Sequence, residues 1–532
     1  MKSVMSHQFS QVPQANIPRS SFERNAGYKT TFDSGYLIPF LVDEALPGDS
    51  FNVDVTAFAR MATPIDPIMD NLYMDTQFFA VPYRLVWDNF QKFMGEQTNP
   101  GDSTDYQVPV MDVTKAPLST TGYVNSTISD YMGLPTEVPE IEHSCLWHRA
   151  YNLVWNEWYR DQNLQDSLTV NTDDGPDDPA DYELKRRCKR HDYFTSGLPF
   201  QQKGDSIEIP LAGTAPIQGT GGDTQVFTAA DSTVRDLKAD TTTGYIFPTG
   251  YSGVQSNLKF TADYNEIGLE ANLAQGSGIG TINQLRQAFQ IQKLLERDAR
   301  GGTRYTEIVR AHFSVTSPDQ RLQRPEYLGG GSTPVNINPV IQSTKDFGSS
   351  LGLGNTGALA TTTIRNNGFT KSFTEHTLII GIVSVRADLT YQQGLDRMWS
   401  RSTRYDFYWP ALAQIGEQSI LNKEIYAQGS ADPTADEEVF AYQERYAEYR
   451  YRNSKITGQF RSNYAATLDS WHLSQEFSSL PQLNDTFIQE NPPVDRVIQT
   501  PLEPHFIFDS YIKMRCARPM PLYGVPGMID HF

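Results

Sequence analysis

Cysteine is scarce: Cys145, Cys188 and Cys516 are the only three in 532 residues, too few for a disulfide framework. Long apolar runs are missing as well. The longest, LIIGIV at 378–383, is far too short to span a bilayer, so no membrane insertion is expected. Positive charge is in deficit, with 44 Lys and Arg against 63 Asp and Glu for a net charge of −19. Such a balance favours solubility and excludes a protein whose whole surface grips nucleic acid, while leaving local basic patches open. The first residues, MKSVMSHQFSQVPQ, lack the apolar stretch of a secretory signal, and the expected compartment is a reducing cytoplasm.

Catalytic and cofactor motifs are equally thin. No G-x-S-x-G elbow occurs, and the nine histidines form no H-x-H or H-E-x-x-H pairing. The glycine run in RPEYLGGGSTP (324–334) lacks the lysine of a phosphate-binding loop, and Pro325 and Pro334 push their predecessors toward extended geometry. Gly329, Gly330 and Gly331 therefore read as a loop where backbone turns without a side chain in the way. Two Cys-x-x-His pairs, Cys145/His148 and Cys188/His191, supply zinc-type ligands at a spacing between pairs that fits no common zinc module. The acidic stretch DDGPDDPADYE (173–183) misses the EF-hand order and reads as a solvated loop, with the basic KRRCKRH (185–191) beside it. No cofactor and no enzymatic activity are expected.

What the chain has is aromatics, 27 Tyr and 28 Phe, which favour strands and broad contact surfaces. FNVDVTAF (51–58) and FIFDSYIKMRC (506–516) alternate apolar and polar residues as half-buried strands do. QFFAVPY (77–83) reads as a strand whose proline suits a sheet edge or a strand end, and TLIIGIVSV (377–385) as one buried on both faces. Helical period is confined to three places: 144–162, 281–302 with Gly301 as C-cap, and a polar 436–453. Strands at both ends with long connections between them suit a two-sheet Greek-key or jelly-roll barrel. Residues 206–280 stand apart, with eleven glycines, many threonines and little period of either kind.

One patch has chemical content. RYAEYRYRNSKITGQFR (445–461) holds Arg445, Arg450, Arg452, Lys455 and Arg461 against Glu448 alone, with Tyr446, Tyr449 and Tyr451 interleaved. Cations for phosphates and aromatic faces for bases are what sequence-indifferent single-strand binding requires. The alternative is an exposed element whose tyrosines pack on a neighbouring subunit. Arg19, Arg24 and Lys29, in an extended basic arm over 1–30, are further candidates for a nucleic-acid contact.

Several long segments carry a resemblance: 284–335 (QLRQAFQIQKLLERDARGG through GGGSTPV), KRHDYFTSGLPFQQKGD (189–205), AYQERYAEYRYR (441–452) and the closing PLYGVPGMIDHF. Together they resemble the major capsid protein of microvirids, small tailless single-stranded-DNA bacteriophages, in their gokushovirus subgroup. The resemblance implies a mainly β chain built on one viral jelly roll, an eight-stranded antiparallel Greek-key barrel with long loop insertions containing a few helices. It implies that about sixty copies close a T=1 icosahedral shell, each copy using closed symmetry to bury its neighbours' contacts. It further implies a circular single-stranded DNA genome, a small basic internal DNA-binding protein, minor or pilot virion proteins, a host cell-surface receptor, and assembly in the bacterial cytoplasm. The expected organisation is an arm at 1–30, the first part of the roll at 31–205, an outward threefold protrusion at 206–280, and the remainder at 281–532. Tyr245, Phe247 and Tyr251 are candidate host contacts, and Gly329–Gly331 a loop approached closely by a neighbouring subunit. A carbohydrate-binding or carbohydrate-cleaving β-sandwich is the competing reading.

Overall fold

Alternation along Ser50–Met61 divides that strand cleanly: Phe51, Val53, Val55, Ala57, Ala59 and Met61 are buried, while Asn52, Thr56, Phe58 and Arg60 are exposed. In the computed structural model of the chain, residues 18–204, 282–316, 323–344 and 353–523 are described, 355 excepted, with six short strands between 217 and 271. In chain order the first strands are β1 (Ser20–Glu23), β2 (Ala26–Phe32), β3 (Ile38–Ala45), β4 (Ser50–Met61) and β5 (Leu72–Pro82). The six short ones are β6 (Ile217–Gly219), β7 (Gln225–Thr228), β8 (Thr233–Ala239), β9 (Ile246–Pro248), β10 (Leu258–Phe260) and β11 (Leu269–Ala271). Then come β12 (Glu326–Pro334), β13 (Asn336–Ile341), β14 (Thr356–Ser372) and β15 (Thr377–Ala387). The last are β16 (Glu417–Leu421), β17 (Val439–Glu444) and β18 (Phe506–Arg518).

Two antiparallel sheets form the framework. One runs β1–β18–β4–β14–β13 with β2 also on β18, the other β12–β5–β15–β3. β1 and β2 lie end to end along β18, from Ser20 opposite Arg518 to Phe32 opposite Phe506. β12 and β13, separated only by Val335, are one line that leaves the second sheet and joins the first. The framework therefore has eight lines, and neighbours such as β3 and β15, or β4 and β18, come from distant parts of the chain. This is a jelly roll. Its core interdigitates the two inner faces: Phe40 meets Phe78 and Phe508 edge-on at 5.8 and 5.9 Å, and Phe78 meets Phe369 at 5.4 Å. Each such side chain contributes roughly 1.5–3 kcal/mol by leaving water.

The outer faces of the sheets differ. Leu378, Ile380 and Ile382 of β15 pack outward into a second core with Trp87, Tyr151 and the helix Leu146–Val154, so β15 is buried along its whole length. Arg149 of that helix is fully enclosed and grips Asp177 through two bonds of 2.6 and 2.7 Å. On the first sheet, by contrast, Phe58, Ile507 and Tyr511 face out exposed. A third core, with Phe194, Tyr391, Ile420, Phe440 and Phe487, lies under the connection between β15 and β18.

Gln202–Gly301 is a second compact unit. Within it β10–β7–β8–β9 and β11–β6 form two small sheets, followed by the helix Ile282–Gly301. That helix includes Gly301 as its last residue, and Gly302, at φ +100°, takes the left-handed conformation expected of the cap.

Four sequence expectations are corrected. Residues 436–453 do not form a helix: β17 and a short 3₁₀ turn over Ala447–Tyr449 replace it, because Phe440 and Ala441 are drawn into the third core. The arm does not stand apart from the roll where it is described, since Ser20–Glu23 and Ala26–Phe32 pair with β18. The glycine run is not a loop but most of β12, paired with β5 across a bulge between Tyr327 and Gly329. Residues 173–183 are not simply solvated: Asp177 is buried on Arg149, and Asp174 accepts from Trp87 Nε1 at 2.7 Å.

Candidate functional site: an aromatic and cationic surface

β16 and β17 pair as a short antiparallel ladder with Glu417 opposite Glu444, and the 445–461 segment leaves its end. Tyr446 makes the turn. It adopts φ +64°, donates its N–H to Gln418 Oε1 at 3.0 Å and is only 3% exposed. A buried ring cannot stack a base, so Tyr446 is removed from the nucleic-acid candidates. Tyr449 and Tyr451, which follow, are each about half exposed.

The cations of the segment have local partners. Arg450 is ion-paired with Glu444, and Lys455 with Asp396. Arg445 donates to the Tyr405 carbonyl at 2.9 Å while lying over the Tyr446 ring, and Arg461 donates to the Gln392 carbonyl at 3.0 Å. Arg452 is exposed and has no ion pair among the described residues. The +4 balance legible in the sequence is thus halved in place, by the two ion pairs.

Against Tyr449 lies a segment that the sequence reading passed over, 397–409 (RMWSRSTRYDFYW). Its signal was present: three arginines and five aromatics in thirteen residues, the same interleaving as in 445–461. Arg397 donates to Glu424 Oε1 at 3.0 Å and to the Ser419 carbonyl at 2.6 Å. Glu424 is buried, which raises its carboxyl pKa; Arg397 and the Tyr193 hydroxyl, 2.8 Å away, pull it back. Arg401 lies 4.5 Å over the Tyr449 ring and 3.5 Å from Glu448. Asp406 accepts from the Thr403 and Ser402 amides at 2.7 and 3.0 Å, which hold its carboxyl below the usual range. Trp409 Nε1 ties back to the Arg404 carbonyl at 2.8 Å, and Tyr408 packs edge-on against Tyr446 at 5.2 Å. The segment is braced from within, yet it presents Trp399, 71% exposed, with Tyr405, Phe407, Tyr408 and Trp409 about half exposed. A cleft of about 460 Å³ opens between the two segments, lined by Met398, Arg401, Tyr449, Tyr451 and Arg452.

The other predicted residues lie elsewhere. Arg19 bonds Ser50 Oγ at 2.9 Å, Arg24 holds Asp43 through bonds of 2.8 and 2.9 Å, and Lys29 is 3.8 Å from Asp509. They belong to the β1–β2 edge of the first sheet and not to the 445–461 surface. A Cβ on Gly330 would come 2.1 Å from the Thr76 carbonyl oxygen, and one on Gly329 would come 2.7 Å from the Gly368 carbonyl oxygen. Close approach therefore does explain these glycines, but to β5 and β14 of the same chain. Phe247 lies on β9, while Tyr245 and Tyr251 fall outside the described residues. In the two Cys-x-x-His pairs, His148 Nε2 pairs with Ser129 Oγ at 2.9 Å and Cys188 with Gln165 Oε1 at 2.9 Å. The basic strip is turned inward only in part: Arg187 reaches Asp75 at 2.7 Å and Arg186 reaches the Ser34 carbonyl at 3.0 Å, while Arg190 and His191 are exposed.

A family profile described as Capsid protein (F protein) matches residues 10–528. Capsid protein VP1 of Bdellovibrio phage phiMH2K is 46% identical over 543 residues, covering 99% of this chain and 98% of that protein. Capsid protein VP1 of Chlamydia phage 1 is 44% identical, with 99% and 98% covered. Capsid protein VP1 of Spiroplasma virus 4 is 35% identical, with 98% and 97% covered.

Proposed function

The chain belongs to the capsid protein (F protein) family, and from that premise we propose that about sixty copies close a T=1 icosahedral shell around a circular single-stranded DNA genome. Membership is of a structural family, which leaves the carbohydrate-cleaving reading without support. The observation that carries the proposal is surface chemistry. Trp399, Phe407, Tyr408 and Trp409 stand exposed on a segment already braced by its own hydrogen bonds. Monomeric soluble proteins rarely leave contiguous apolar patches of this kind uncovered. Among the tryptophans of the long connections, Trp399 and Trp409 are exposed, Trp147 is half-buried and Trp87 is fully in the second core.

With a net charge of −19 and two of its five 445–461 cations ion-paired within the chain, the shell protein supplies little neutralising charge to packaged phosphate. A small basic internal protein supplies the remainder in this reading, and minor or pilot proteins join the virion. Residues within Gln202–Gly301, Tyr245, Phe247 and Tyr251 among them, meet the host receptor. Shells assemble in the bacterial cytoplasm. Electron microscopy of the purified protein tests the central claim: closed uniform particles are expected, and a population of discrete monomers under all assembly conditions would refute it.

A further inference from the structure

We propose that the surface formed by 397–409 and 446–452 is a seam between two copies of this chain and not a genome contact; the inference rests on the shell reading above. Its composition is the first argument. Exposed Trp399, Trp409, Tyr405, Tyr408, Tyr449 and Met398, with Arg401 among them, are the residue types that concentrate binding energy at protein–protein contacts.

Charge is the second. A single strand of DNA binds by displacing counterions with free cations. Here Arg397 is held by Glu424, Arg401 by Glu448, Arg450 by Glu444 and Lys455 by Asp396. A polyanion would have to break those four pairs to use more than Arg404, Arg445 and Arg452, the cations of this surface without an ion pair among the described residues. A second copy fits better. Each copy carries −19, so copies meet most easily where one of them is not acidic. Counted over 396–409 and 444–455 together with Glu424, this surface has seven cations and five acids. Its slight positive excess complements the acidic remainder of a neighbour.

Preorganisation is the third. Asp406 fixes the turn at Ser402 and Thr403, Trp409 ties to Arg404, and Tyr446 anchors the facing segment. Little ordering entropy remains to oppose docking.

The test uses the full chain in three measurements. Trp399→Ala/Phe407→Ala is expected to raise the protein concentration needed for shell formation at least about tenfold, with the melting of the unassembled chain unchanged. If the parent forms shells and the variant forms them at the same concentration, the seam is refuted. If the parent forms none, the shell reading itself fails. Amide hydrogen exchange on the unaltered protein covers the case of a variant that does not fold: 397–409 is expected to be protected in shells relative to free chain, and equal exchange would refute the seam. Arg452→Ala, in shells that assemble normally, is expected to leave the salt dependence of DNA retention as in the parent. A shallower dependence would make the surface a nucleic-acid site instead.

Discussion

His148 sits in a closed pocket of the second core, with Ser129 Oγ at 2.9 Å and the His143 and Tyr182 rings at 5.4 and 5.5 Å. Burial, with the neighbouring His143, pushes its pKa down to about 3. In the unfolded chain a histidine takes its proton near pH 6.5. The folded pKa lies below the unfolded one, so the neutral ring's contribution is whole above pH 6.5 and is lost as pH falls toward 3, by up to about 1.4 kcal/mol per pH unit. Glu424 and Glu490, whose burial raises their carboxyls, act in the opposite sense over part of that range. The informative quantity is therefore the difference between parent and His148→Gln. Urea midpoints of the unassembled chain are expected to fall less steeply in the variant between pH 6.5 and 4.5; parallel profiles would show that His148 is not the titrating group. Nearby, Asp177 is held below the carboxylate range against its own burial, by Arg149 and the Tyr182 hydroxyl. Its contribution is present above pH 4 and lost only in stronger acid, which separates the two windows. Arg149→Ala leaves Asp177 buried and uncompensated, at an expected cost of about 3–5 kcal/mol in the same denaturation assay.

At the scale of elements, two predictions test the register. Phe58 and Val55 belong to one strand, but Phe58 is on the open face of the first sheet and Val55 in the core. Phe58→Ala is expected to change the stability of the unassembled chain by no more than about 0.5 kcal/mol, whereas Val55→Asp should prevent folding by burying an unpaired carboxylate. Gly330→Val should detach β12 from β5, because the added Cβ would lie 2.1 Å from the Thr76 carbonyl oxygen; about 3 kcal/mol or more is expected, read as loss of soluble chain. Strands were legible in the sequence where period two coincided with core burial, as in β4 and β18, and where a short apolar run was buried on both faces, as in β15. Where side chains are absent that signal fails, and the glycines of β12 concealed a strand. Arg-Tyr interleaving at 445–452 imitated a helical face, and only tertiary contacts of Phe440 and Ala441 decide for β17. The same limit applies to the candidate surface. Its cations could be read directly, but partners 6 to 59 residues away, Glu444 for Arg450 and Asp396 for Lys455, halve a +4 strip to +2. Salt bridges between distant loops leave no local pattern to read.

The last prediction belongs to the whole molecule. All ten strands of the two framework sheets come from outside Gln202–Gly301: β1 to β5, β12 to β15 and β18. The inner faces that pack the core, from Phe40 and Val55 to Phe369 and Met514, are likewise outside it. Composition alone set a boundary at 206–280, but the compact unit also takes in the helix Ile282–Gly301, so excision at the narrower limits would strand an amphipathic helix without its partners. The chain lacking 202–301, rejoined by a flexible Gly/Ser linker, is therefore expected to fold and to form shells that look like the parent's by electron microscopy, since neither the sheets nor the proposed 397–409 seam is touched. Adsorption to the host bacterium is expected to disappear. The two halves of the claim fail separately. Shells that no longer form would show that the unit is part of the framework's assembly. Intact shells in virions that still adsorb and infect would place the receptor contact elsewhere on the chain or on another virion protein.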